Sequence, residues 1–191
     1  AEGSTRLLYG AGLPDDFGSN ETQAVYALTD APPSTPCSIL RDVESYYSAR
    51  VRRYGATALG VDWNSPMSQR LRFVQLLKVI DWAQPSPSLH DLGCGYGAML
   101  EHMADRHANA DVQYVGTDIS DAMIRLAQRR WKKMPNARFA LAGSSPPEVD
   151  YTVASGIFNV CLGHPQLEWE RYVTDTLGTI RYASQRGLAL N

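Results

Sequence analysis

Apolar residues along this chain follow two rhythms, one helical and one of short strand-like runs. From Ser38 to about Tyr54, Ile39, Val43, Tyr46, Tyr47, Arg50 and Val51 fall three and four positions apart, the spacing of one helix face. Residues 55–65 form a loop. Ser65 followed by Pro66 has the signature of an N-cap with proline at the first helical position. The helix it opens carries Leu71, Val74 and Leu77 together with Phe73, Leu76 and Ile80, and Pro85 and Pro87 close it. Beyond Pro87 the texture changes. Residues 88–92, 112–117, 138–142 and 151–154 predict four short strands, and 187–190 begins a fifth. Helices fall between them. One shows Leu100, Met103, Ala104 and His107. A second, capped by Ser120 and Asp121, turns Met123, Leu126 and Ala127 inward. A third, over 168–184, shows Trp169, Tyr172, Val173, Thr176, Leu177 and Ile180. Before Ser38, glycine and proline recur too often for long regular elements, so residues 1–37 are expected to be an extended arm.

Strands alternating with helices through short loops predict a doubly wound α/β fold. The expected sheet is mostly parallel, with helices on both faces and an N-terminal helical extension. The division is an arm and helical cap over 1–65 and the α/β domain over 66–191. Composition removes several function classes. With 18 basic against 20 acidic residues in 191, the net charge of −2 gives no field to hold a nucleic acid. No apolar run approaches the roughly 20 residues a membrane helix needs, and the N-terminus lacks a signal pattern, so a cytoplasmic protein is expected. Cys37, Cys94 and Cys161 are too far apart for a zinc knuckle or a redox pair and are expected to be reduced thiols. His102 and His107, five apart on a helix, do not share a face, so no metal site is expected.

The informative segment is His90-Asp91-Leu92-Gly93-Cys94-Gly95-Tyr96-Gly97-Ala98. A strand, a glycine-rich turn and a helix start let a ligand meet backbone with no Cβ in the way, beside helix N–H groups suited to anionic oxygens. Asp118 ends the next strand, 21 residues after Gly97, where a carboxylate can accept hydrogen bonds from the two hydroxyls of a ribose.

These motifs resemble the class I S-adenosylmethionine-dependent methyltransferases. Asp91-x-Gly93-x-Gly95-x-Gly97 is similar to their first motif, and Val115-Gly116-Thr117-Asp118-Ile119-Ser120 to their second-strand signature. Asp150-Tyr151-Thr152-Val153-Ala154-Ser155-Gly156 resembles their fourth strand. The resemblance covers roughly residues 66–191 and implies a Rossmann-like fold, with S-adenosylmethionine as cofactor and S-adenosylhomocysteine as product. It implies that Gly93, Cys94 and Gly95 approach the cofactor by backbone, that Asp118 holds the ribose and that Ile119 packs on adenine with Met123 beside it. Asp91, Gly97, Ser144, Ser155 and Gly156 complete the cofactor set, with Tyr46 and Arg72 as partners for its carboxylate. The third strand ends without an acid to read the adenine amine. The family has seven strands, the last two an antiparallel hairpin, so its C-terminal strands are expected to be absent from this chain and one sheet edge to be left unpaired.

For methyl transfer, candidate residues are His164, Asn159 and Tyr47, with Asp62, Trp63 and Asn64 in the N-terminal region that could cover the site. The end of the fourth strand lacks the acid, Asn or Ser then Pro-Pro-aromatic pattern of nucleobase methylation, which leaves a small-molecule acceptor. Two rivals share the geometry. Gly93-x-Gly95-x-x-Ala98 also meets a loose dinucleotide fingerprint, so a nucleotide-binding oxidoreductase remains, as does an inert binding protein on the same fold. The acid two residues before the first glycine, and Gly97 itself, favour the methyltransferase.

Overall fold

The computed structural model describes residues 6–9, 36–107, 110–143 and 145–191. Among them, six strands pair in parallel in the order β1-β6-β5-β2-β3-β4. The strands are β1 (Arg6–Tyr9), β2 (Ser88–Leu92), β3 (Gln113–Asp118), β4 (Ala137–Leu141), β5 (Val149–Ala154) and β6 (Ser184–Leu190). The helices are α1 (Pro36–Tyr54), α2 (Pro66–Leu76), α3 (Ala98–Arg106), α4 (Asp121–Arg130) and α5 (Gln166–Ala183). None of the described helices is long and apolar enough to cross a membrane.

The two expected caps form. Ser65 accepts from the Ser68 N–H at 3.1 Å, with Pro66 opening α2, and Ser120 accepts from the Met123 N–H at 3.3 Å. Only one stripe of α2 is core. Phe73 and Leu76 are buried, as are Leu77 and Ile80 just beyond the helix, whereas Leu71 and Val74 lie at the surface. The helix also ends earlier than Pro85, passing at Leu77–Val79 into a short 3-10 turn.

Period-2 alternation assigns the two faces of the sheet. Leu89, Tyr114, Phe139, Tyr151 and Val153 point into the main core with α2, α3 and α4. On the other face α5 packs against β5 and β6. Right-handed crossovers give this arrangement, because the chain moves outward from β2 to β4, returns to β5 beside β2, and then moves the other way. The return is unusual. Parallel strands are usually linked by a dozen or more residues that include a helix, but β4 reaches β5 through residues 142–148, which hold no helix or strand among the described positions. The face bearing His90, Val115, Thr117 and Ala140 is therefore not roofed by a crossover helix, and these four residues line a cavity.

Two expectations are corrected. Residues 6–9 are not merely arm: β1 pairs in parallel with β6, Arg6 opposite Gly187 through Tyr9 opposite Leu190. The β6 edge is therefore covered, by a strand too short for periodicity to reveal. β6 itself begins at Ser184, directly after α5, because polar Gln185 and Arg186 hid its first half. The rest of the arm, residues 1–5 and 10–35, lies outside the described residues.

Candidate active site

The chain reverses direction between β2 and β5, and a crevice opens at the carboxyl ends of these strands, the place where doubly wound sheets bind ligands. Its floor is the β2–α3 turn. Gly93 has φ +76° and Gly97 φ +80°, left-handed values that favour glycine. At Gly93 a Cβ would strike Ile157 Cγ2, from the segment after β5. At Gly97 it would come within 2.6 Å of Trp131 Nε1, and that indole N–H donates to the Gly97 carbonyl at 3.1 Å. Gly97 thus serves helix packing, while Gly93 keeps the crevice open. The turn's N–H groups are mostly committed. Those of Gly93 and Cys94 donate to the Thr117 carbonyl at 2.8 and 3.0 Å, that of Gly97 to the Cys94 carbonyl, and that of Gly95 to Asp118. The free anion-binding N–H groups expected of the turn are absent at these four positions.

Asp118, 9% exposed at the end of β3, accepts from the Gly95 N–H at 2.9 Å on one carboxylate oxygen and the Ser120 N–H at 2.8 Å on the other. Burial pushes its pKa up to about 6 against the opposing pull of these N–H groups. Each oxygen keeps further acceptor capacity. Asp91, 2% exposed, accepts the Tyr114 hydroxyl at 2.5 Å, and burial pushes it up to about 7 although that bond favours the charged form. Burial also raises the Cys94 thiol well above its usual range, which suits an inert packing residue. His90 is 1% exposed, and burial holds it neutral with a pKa near 4. Its Nε2 lies 2.8 Å from Thr117 Oγ1, while Nδ1 has no partner. Ser155 Oγ, at the end of β5, is likewise buried and partnerless.

The crevice widens into a cavity of about 1100 Å³ walled by the β2–α3 turn, residues 142–143 and 145–147, α1 and α5. Residues 90–180, from His90 in β2 to Ile180 in α5, match the methyltransferase-domain family. A Mycobacterium tuberculosis protein designated a methyltransferase, Rv1506c, is 41% identical over 115 residues, or 60% of this chain and 68% of its own length. The chain belongs to the class I S-adenosylmethionine-dependent methyltransferases. The trans-aconitate 2-methyltransferase of Delftia acidovorans is 34% identical over 50% of this chain and 39% of that enzyme. Two solved structures share the fold at low identity. Phosphoethanolamine N-methyltransferase 1 of Haemonchus contortus, solved with phosphoethanolamine and S-adenosylhomocysteine, has a TM-score of 0.54 at 16% identity. That match covers 80% of this chain and 30% of that one. The mycolic acid cyclopropane synthase CmaA1, solved with S-adenosylhomocysteine, has a TM-score of 0.52 at 21% identity, over 85% and 57%. This chain therefore spans less than two thirds of either solved protein. Family membership sets aside the oxidoreductase alternative.

In this methyltransferase the cavity gathers Asp91, Gly93, Cys94, Gly95, Asp118, Ile119, Met123, Ser155 and Gly156, with Tyr47 and Asn159 from the methyl-transfer candidates and Asp62 and Trp63 from the covering region. Gly97, Tyr46, Arg72, Asn64 and His164 are not among its lining residues. Arg72 stacks over the Trp63 ring at 5.0 Å, and Tyr46 donates to Asp62 at 2.8 Å, so both support the cover from behind. His164 Nε2 lies 3.3 Å from Asp42 on α1. Ser144 lies outside the described residues, as does the side chain of Cys37. His102 and His107 sit apart, tilted on Phe73 and stacked on Trp82 respectively. Sequence reasoning missed Val61, which would meet a Cβ at Gly95 at 2.9 Å, and the place of His90 in the cavity lining. Tyr172, Thr176 and Ile180 also line the cavity; their helical spacing is visible in the sequence, but it gives the same signal for core as for cavity wall.

Proposed function

We propose that this methyltransferase moves a methyl group from S-adenosylmethionine to a small-molecule acceptor. The observation that carries the reading is the Gly93–Gly97 turn locked to Asp118 by the Gly95 N–H, with both open to one cavity. Bound there, the cofactor supplies an activated sulfonium methyl for in-line displacement, in which proximity and orientation dominate. The residues fit it. Asp118 has acceptor capacity left for ribose hydroxyls, and Gly93 admits backbone approach. Ile119 and Met123 offer apolar surface for adenine, and Ser155 Oγ is a buried polar atom in need of a partner. Among the described lining residues there are carboxylates but no Lys or Arg, which suits a cationic ligand. Tyr47 and Asn159 line the same space. A base is needed only if the acceptor must lose a proton.

Calorimetry with S-adenosylhomocysteine, with NAD as control, tests the reading. The expected result is binding of the first and not the second, and the reverse pattern defeats it. Asp118→Ala is expected to weaken binding by about 1–2 kcal/mol, roughly five- to thirtyfold. Ribose hydroxyls prefer the ionised carboxylate, and Asp118 titrates near 6. Affinity should therefore be full above neutrality and fall as the pH drops through about 6, by up to about tenfold per pH unit. A titration series from pH 5 to 8 checks this, and the pH dependence should vanish in Asp118→Asn.

A further inference from the structure

We propose that the acceptor binds in the hollow over the His90-bearing face of β2, β3 and β4, as an uncharged, mainly apolar molecule with one hydrogen-bonding group met by His90 Nδ1. This rests on the methyltransferase reading above and names the substrate class of that same site. The space exists because residues 142–148 cross the sheet with no helix among their described positions. Its floor is His90, Val115, Thr117 and Ala140, and Tyr47 and Thr176 stand on its helical walls.

The four floor residues carry no charge of either sign at neutral pH, and Arg138, opposite Val115 on the same face of β4, is exposed and outside the cavity lining. Among the described lining residues none is Lys or Arg. Of the carboxylates, Asp62 is paired with Arg50 at 2.9 Å, and Asp175 sits at the rim with 64% of its side chain exposed. Asp91 in β2 and Asp118 at the end of β3 are each already hydrogen-bonded, Asp91 by the Tyr114 hydroxyl and Asp118 by the Gly95 and Ser120 N–H groups. An acceptor charge placed on this floor would be desolvated without a counter-charge, which costs several kcal/mol. The polar exception is His90. It is 1% exposed, its Nε2 is taken by Thr117, and its Nδ1 is unmatched. Buried polar atoms without partners are rare in folded proteins, and a neutral imidazole nitrogen can accept from a hydroxyl or donate to a carbonyl.

The test uses the whole chain saturated with S-adenosylhomocysteine and two matched probe pairs, decanol with decanoate and phenylbutanol with phenylbutyrate. Failure of S-adenosylhomocysteine to bind sinks the methyltransferase reading itself. With it bound, the alcohols should bind at least about tenfold more tightly than the acids. His90→Leu should weaken phenylbutanol about fivefold while butylbenzene and S-adenosylhomocysteine bind as before, an outcome that general loss of structure would not give. Thr176→Arg, a helix-surface change that leaves the floor intact, should raise affinity for the acids. The inference is overturned if acids bind as well as alcohols, if neither binds to protein that holds S-adenosylhomocysteine, or if His90→Leu leaves phenylbutanol unchanged.

Discussion

Gly93→Val is expected to abolish measurable S-adenosylhomocysteine binding and to lower the unfolding free energy by about 3 kcal/mol. Two costs combine. The first is conformational: φ is +76° at residue 93, and a β-branched side chain pays heavily in the left-handed region. The second is steric, because the new Cβ points into Ile157 Cγ2, and Ile157 lies on the segment that walls the same crevice. Relief by movement of Ile157 would close or deform the crevice, so binding suffers more than stability. A double-mutant cycle separates the terms. Ile157→Ala should restore part of the stability of Gly93→Ala, the steric share, and leave the backbone share of about 1–2 kcal/mol in place. Urea denaturation and calorimetry on the four proteins read both quantities. Wild-type cofactor affinity in Gly93→Val would show that the turn is not the cofactor platform.

The turn, Asp118 and the capped helix after it were legible in the sequence because their chemistry is local. Left-handed backbone needs glycine, a strand-end carboxylate is fixed by its own strand, and Ser120 caps α4 through the next turn of chain. What escaped depends on distant partners. Gly97 looked like its neighbours in the motif, and only the fold brings Trp131 against it. Tyr46 and Arg72 were visible as polar residues near the site, but Asp62 and the Trp63 ring claim them first. β1 is four residues whose strand partner among the described residues lies at the far end of the chain. The hollow over His90 reflects a missing element: the sequence shows strands at 138–142 and 151–154, yet not that the chain must cross two strands between them.

The Asp91–Tyr114 pair beneath the turn gives the second large effect, and it depends on pH. Tyr114→Phe should cost about 2 kcal/mol of stability at pH 8 and about 1 kcal/mol at pH 6. In the native protein burial pushes the Asp91 pKa up to about 7, and the Tyr114 hydroxyl favours the charged form, as the donor to an otherwise desolvated carboxylate. Asp91 in the unfolded chain titrates near 3.9. A folded-state pKa above the unfolded one means that the native state holds the proton more tightly. Its contribution is therefore complete below about pH 4 and is lost as pH rises through about 7. Removing the hydroxyl takes away the group that favours the charged form, so the native pKa of Asp91 rises further and the loss continues to higher pH. At pH 6 both proteins carry a mostly neutral Asp91 and differ by little more than one hydrogen bond. At pH 8 the wild type ionises against a donor, while the variant must either ionise without one or hold a proton against the solution. Urea unfolding of the two proteins at both pH values measures the difference. An equal cost at pH 6 and pH 8 would mean that Asp91 does not change charge across this range. The turn would then stand on a permanently ionised or permanently neutral carboxyl.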